Sequence, residues 1–135
     1  MHERQKIMPG FERIDKREKD AVEKIFDDGG VLFAHGFDKL RKNYHVREFE
    51  EDCKKFFKAK YTVAVSSGTA AIKTALKACG VKRGDEVITQ AFNFIATIEA
   101  ILDCGAIPRI CNVNSTLNMD VNCLKELINK KTKVI

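Results

Sequence analysis

From residue 61 onward the sequence alternates short apolar runs with helical segments, and this alternation limits the fold more than any other feature. Runs typical of β-strands lie at residues 61–65, 86–89, 107–111 and 133–135. Helical periodicity or helix-capping residues occupy 69–79, 93–103 and the stretch that begins at Asp120. Strands and helices joined by short connections predict an α/β fold with a mainly parallel sheet flanked by helices. Ligands of such sheets bind at the carboxyl ends of the strands.

The N-terminal part of the sequence has a different pattern. Residues 1–14 are expected to form an extended arm, and a helix is expected to start near Asp15, which has capping-box spacing to Glu18. Gly29 and Gly30 would end that helix, residues 31–45 have no clear periodicity, and a second helix is predicted over about 46–58. We therefore divide the chain into residues 1–45, an arm, a helix and an irregular segment approaching the site, and residues 46–135, part of a larger domain. Because the last apolar run stops at Ile135 without a turn, we expect a longer protein.

The composition excludes several classes of function. The net charge of +5 is spread over interspersed basic and acidic residues, so no block predicts nucleic-acid binding. The charged N-terminus is unlike a signal peptide, and no apolar run approaches the roughly 18 residues of a membrane span. None of the five cysteines has the spacing of a zinc site or a C-x-x-C pair, which predicts reduced, buried thiols and no metal centre. We expect a cytoplasmic protein that does not bind membranes.

The turn from Ser66 to Thr69 is the first candidate site. It joins a predicted strand to a predicted helix, and Gly68 would let a ligand approach the backbone closely. The first N–H groups of a helix lack internal partners and attract anions such as phosphate, and the hydroxyls of Ser67 and Thr69 could add hydrogen bonds. The same residues are also typical of an ordinary helix cap. The turn alone leaves both interpretations open.

Two aromatic residues follow the next predicted strand at the same edge of the sheet. Phe92 and Phe94 could offer a flat surface to the ring of an aromatic cofactor, or they could pack into the core.

An ordered series of motifs resembles the DegT/DnrJ/EryC1/StrS family of pyridoxal 5′-phosphate (PLP) dependent nucleotide-sugar aminotransferases. The resemblance covers nearly the whole chain. The motifs are 11–15 (FERID), 29–36 (GGVLFAHG), 46–50 (VREFE), 63–72 (VAVSSGTAAI), 84–88 (GDEVI), 94–97 (FIAT), 105–108 (GAIP) and 117–120 (LNMD).

The resemblance implies part of the large domain of a fold-type-I PLP-dependent aminotransferase, which is usually a homodimer with shared active sites. By this resemblance Gly68 and Thr69 would hold the cofactor phosphate through their backbone N–H groups and the Thr69 hydroxyl, and Phe94 would stack on the pyridine ring. Ser67, from the chemistry of the turn, is the remaining candidate for cofactor binding. His35 and Gly36 fall where the family approaches the substrate, so they are weaker candidates for substrate binding.

The implied activity is transfer of an amino group, with glutamate as the expected donor, to a ketosugar attached to a nucleotide. The lysine that forms the Schiff base in this family is expected beyond Ile135, and Lys73 is expected to face solvent. No catalytic residue is therefore assigned within the chain, and whether it is an enzyme by itself is left open. Alternatives are a catalytically inactive fragment, an anion- or nucleotide-binding α/β module, and a related PLP-dependent sugar dehydratase.

Overall fold

The computed structural model describes residues 13–34 and 36–135. The described residues form two compact units, one ending at Val63 and the other comprising 64–135. The extended arm predicted for residues 1–14 falls almost wholly outside the described residues.

The N-terminal unit contains two amphipathic helices, α1 (Lys16–Asp27) and α2 (His45–Phe57). The predicted capping box at the start of α1 is confirmed: the Arg17 N–H donates to Asp15 Oδ1 at 2.8 Å, and the Asp15 N–H donates to Glu18 Oε2 at 2.7 Å. The helix ends at the two glycines, where the Gly30 N–H donates to the carbonyl of Ile25 at 2.9 Å. Local capping residues therefore specify this helix, as the sequence predicts.

The C-terminal unit is an α/β layer, which confirms the predicted fold class. Its elements in chain order are α3 (Gly68–Ala78), β1 (Glu86–Gln90), α4 (Ile95–Asp103), β2 (Ile107–Cys111), α5 (Val121–Leu127) and β3 (Thr132–Val134). The three strands are parallel, in the order β2-β1-β3, with Glu86 opposite Ile107 on one side and Thr132 on the other. The central strand β1 therefore pairs with both other strands.

The strand predicted over residues 61–65 is wrong. Residues 61–65 are part of none of the strands of the described residues, and Tyr61 and Val63 are 78% and 63% exposed. The segment is rich in the aromatic and β-branched residues that are typical of strands. Such a composition does not provide the neighbouring strand that a ladder requires, so the segment belongs to no sheet among the described residues.

The core lies between β1 and the C-terminal halves of α3 and α4. Its buried members are Leu76, Val81, Val87, Ala100, Ile101, Cys104 and Ala106. Val87 lies near the start of β1, so the C-terminal ends of both helices meet the amino end of that strand. Both helices therefore run antiparallel to β1, and their N-termini lie at the carboxyl edge of the sheet.

The cysteines follow the predicted burial only in part. Cys104 and Cys111 are buried, Cys53 and Cys123 are half-buried, and Cys79 is exposed. Cys79 lies just past the last turn of α3, where the chain leaves the core side of the helix. Among the described residues, no helix is both long and apolar enough to cross a membrane.

Candidate functional site

Ser67 caps the N-terminus of α3 with its side chain. Its backbone is extended, and its Oγ accepts the N–H of Ala70 at 3.1 Å, while its carbonyl accepts the N–H of Ala71 at 3.0 Å. The capping interpretation of this turn is therefore confirmed for the Ser67 oxygen atoms. The Ser67 hydroxyl hydrogen remains available to donate to a ligand.

The two residues that follow the cap leave their backbone donors unused. In the part of the chain that the structure describes, the N–H groups of Gly68 and Thr69 donate to no acceptor. A Cβ added to Gly68 would meet no atom within 4 Å, so the space beside this glycine is open. No acidic residue lies in the first turn of α3. The turn therefore presents unpaired donors and the positive end of a helix to an open space.

The loop after β1 exposes both aromatic residues. Phe92 and Phe94 are 62% and 76% exposed, so the interpretation that they pack into the core is wrong. Phe94 immediately precedes α4, and its N–H donates to Asn93 Oδ1 at 2.8 Å. The ring of Phe94 is thus available to a ligand at the carboxyl edge of the sheet.

An exposed ion pair joins α3 to α4. Lys73 Nζ lies 2.8 Å from Asp103 Oδ2. At the rise of an α-helix, Lys73 lies about 8 Å along α3 from Gly68, and Asp103 lies about 12 Å along α4 from Ile95. Because the two helices run in the same direction, both N-termini lie toward the same edge of the sheet, and Gly68 and the loop of Phe94 are at these N-termini.

The ion pair also determines the state of Lys73. The Asp103 carboxylate raises the pKa of the Lys73 ammonium, chiefly through their hydrogen bond, and the ammonium lowers the pKa of Asp103. Lys73 is exposed, as predicted, and remains protonated on the helix surface. Lys73 therefore does not supply an unprotonated amine to the candidate site.

The two weaker candidates belong to the N-terminal unit. His35 lies outside the described residues. Gly36 has φ +80°, a conformation that favours glycine, and it is exposed. Nearby, the buried guanidinium of Arg41 donates to the carbonyls of Phe33 and Ala34, at 3.0 Å for Ala34, and so shapes the chain just before these candidates.

Sequence reasoning missed the side chain that holds the Phe94 end of the loop after β1. The sequence predicts Asn93 only at the start of a helix, whereas in the structure its amide joins Phe94 to Thr89. The Gln90 amide donates separately to the carbonyl of Phe92 at 2.7 Å. Asparagine before a helix is the available sequence signal, since its amide often bonds nearby backbone.

The donors at this edge fit PLP. A phosphate ester needs several N–H or O–H donors and no nearby carboxylate, which the first turn of α3 provides. A flat pyridine ring needs an aromatic face, which the exposed ring of Phe94 provides.

Comparison with known proteins gives the same assignment. The model of the DegT/DnrJ/EryC1/StrS aminotransferase family matches residues 14–135. GDP-perosamine synthase of Vibrio cholerae is 31% identical over 131 residues, which cover 96% of this chain and 34% of that protein. GDP-4-keto-6-deoxy-D-mannose 3-dehydratase of Yersinia pseudotuberculosis is 33% identical over 128 residues, covering 90% of this chain and 30% of that protein.

A solved structure supports the fold over the same region. Spr1654 of Streptococcus pneumoniae, assigned as a sugar aminotransferase and solved in its PLP form, superposes with a TM-score of 0.77 at 28% identity, covering 90% of this chain and 29% of that one. The chain thus spans about a third of the length of these relatives. On its sequence and its fold, the chain belongs to the DegT/DnrJ/EryC1/StrS aminotransferase family, a family of PLP-dependent enzymes.

Proposed function

We propose that this chain supplies the phosphate- and ring-binding part of a PLP-dependent sugar aminotransferase. The substrate would be a ketosugar attached to a nucleotide, and glutamate would donate the amino group. The observation that carries the proposal is the pair of unpaired N–H groups at Gly68 and Thr69, beside open space at the positive end of α3. The names of the relatives, which include a GDP-perosamine synthase and a dehydratase of a GDP-linked ketosugar, support a nucleotide-linked sugar.

Each candidate residue has a separate task in this proposal. The N–H groups of Gly68 and Thr69, with the hydroxyls of Ser67 and Thr69, bind the cofactor phosphate. The ring of Phe94 binds one face of the pyridine ring and excludes water from it. When bound, PLP supplies an electron sink for the transfer of the amino group.

We propose that other residues complete the site. Lys73 is paired with Asp103 on the helix surface, so the proposal assigns the amine chemistry to a lysine outside residues 1–135. His35 and Gly36 stay proposed as substrate-binding residues. A homodimer with shared active sites and a cytoplasmic location are part of the same proposal.

One related activity remains a specific alternative. The 33% identity to the Yersinia dehydratase favours PLP-dependent removal of a sugar hydroxyl as the second candidate function. The two activities would use the same phosphate and ring contacts. They would differ in whether the position of the Schiff-base lysine holds a lysine or another residue. An inactive fragment and a general anion- or nucleotide-binding module are the non-enzymatic alternatives.

Pyridoxamine 5′-phosphate is the most informative probe of this proposal. It carries the phosphate and ring of PLP but no aldehyde, so it cannot react with the exposed lysines of this basic chain. Binding is followed by its fluorescence and by isothermal titration calorimetry, with pyridoxamine, inorganic phosphate, GDP and UDP as comparison ligands.

We expect pyridoxamine 5′-phosphate to bind, inorganic phosphate to compete with it, and pyridoxamine to bind much more weakly. Thr69→Val, which removes a hydroxyl while keeping the shape, should weaken binding, and Thr69→Ser should retain most of it. The nucleotide-binding module would instead be favoured if GDP bound tightly, Thr69→Val weakened that binding, and pyridoxamine 5′-phosphate did not bind.

A further inference from the structure

The loop between β1 and α4 is held by one amide side chain that connects the strand to Phe94. Asn93 Nδ2 donates to Thr89 Oγ1 at 3.0 Å, and Asn93 Oδ1 accepts the N–H of Phe94 at 2.8 Å. The side chain thus uses a donor and an acceptor at once, with one partner in the sheet and the other at the aromatic residue.

The two ends of this connection differ in rigidity. Thr89 is 7% exposed and lies within the central strand β1, whose backbone pairs with β2 at this position. Phe94 is 76% exposed, and its ring stacks on no other aromatic ring among the described residues. Because packing does not hold the ring, the conformation of residues 93 and 94 determines where it points.

A second amide in the loop makes a different contact. Gln90 Nε2 donates to the carbonyl of Phe92 at 2.7 Å, which fixes the middle of the loop and not its end. The loop therefore offers a matched pair of amides, of which only Asn93 bonds to Phe94.

We propose that Asn93 is a positioning residue, which holds Phe94 against the ring of the bound cofactor by connecting it to Thr89. This inference rests on the proposed function of the site. The phosphate contacts lie on α3 at Gly68 and Thr69, so Asn93 affects the ring contact and leaves the phosphate contact unchanged.

The test compares Asn93→Leu, which keeps the approximate shape without the hydrogen bonds, with Gln90→Met as the matched control in the same chain. We expect Asn93→Leu to weaken pyridoxamine 5′-phosphate binding about three- to tenfold, the range of one aromatic stacking contact. Its affinity for inorganic phosphate should stay unchanged, and the induced circular dichroism of the bound ring should fall. Gln90→Met should retain the affinity and the dichroism.

A double-mutant cycle with Phe94→Leu identifies the route of the effect. If Asn93 acts through Phe94, Asn93→Leu has no further effect on affinity once Phe94 is replaced. Additive losses, an equal loss of phosphate affinity, or an unchanged Asn93→Leu variant would each overturn the positioning role. If the unaltered chain binds neither probe, the proposed function itself fails, which is a separate outcome.

Discussion

Replacing Gly68 with alanine separates the stability of α3 from its proposed binding of phosphate. Gly68 is the first residue of the helix, has no positive φ, and has open space where a Cβ would be placed. Alanine is a better helix former than glycine and restricts the unfolded chain, so we expect a gain of about 0.5 kcal/mol in unfolding free energy. For a unit of this size the gain corresponds to a rise in Tm of about 3 °C.

The same methyl group should harm ligand binding. It would occupy the space through which a phosphate reaches the N–H groups of Gly68 and Thr69. Hydrogen bonds to a charged group contribute about 1.5–3 kcal/mol each. Losing one contact of about 2 kcal/mol weakens binding about 30-fold. Gly68→Ala should therefore be slightly more stable than the unaltered chain and bind pyridoxamine 5′-phosphate much more weakly.

Thermal unfolding and calorimetric titration of the same samples check both halves of this prediction. Thr74→Ala is the matched control, because Thr74 is exposed later on the same helix and the substitution also raises helix propensity. It should increase stability without changing affinity. If Gly68→Ala binds the probe as tightly as the unaltered chain, the phosphate does not lie beside Gly68 and the assignment of this turn is refuted.

Three further predictions concern stability and one concerns reactivity. Ser67→Ala should lower the unfolding free energy by about 1 kcal/mol in denaturant titrations, because the cap of Ala70 is lost. Asp103→Asn should lower Tm near pH 6 but not at pH 2. Lys73 lowers the pKa of Asp103 in the folded state, so the ionised carboxylate stabilises the fold above its unfolded pKa, and this stabilisation is lost as the pH falls through the folded pKa. Lys58→Gly should raise Tm, because Lys58 ends α2 at φ +51°. In a native thiol assay Cys79 should react first, and Cys79→Ser should remove that fast phase.

The parts of the fold that were predicted from sequence are those specified by local contacts. Asp15 forms its capping box with a residue three positions away, and the Asp120 carboxylate caps α5 by accepting the N–H groups of Asn122 and Cys123. The segment 61–65 failed as a strand because a ladder depends on a partner remote in sequence, which its own residues do not encode. The role of Asn93 was missed for a similar reason, since its bond to Thr89 exists only once β1 and the loop have taken their places.

The turn at Ser67 shows why its two interpretations were not alternatives. A helix begins with several N–H groups that lack intrahelical partners, and one capping side chain satisfies only one or two of them. Ser67 uses its oxygen for the N–H of Ala70, which leaves the N–H groups of Gly68 and Thr69 without an acceptor among the described residues, beside the open space at Gly68. The Ser67 cap stabilises the start of α3 and therefore the helical turn that carries these two donors. The sequence feature typical of an ordinary helix start is therefore also what a binding site would need here, and the flanking motifs, with the exposed ring of Phe94, favour the second use.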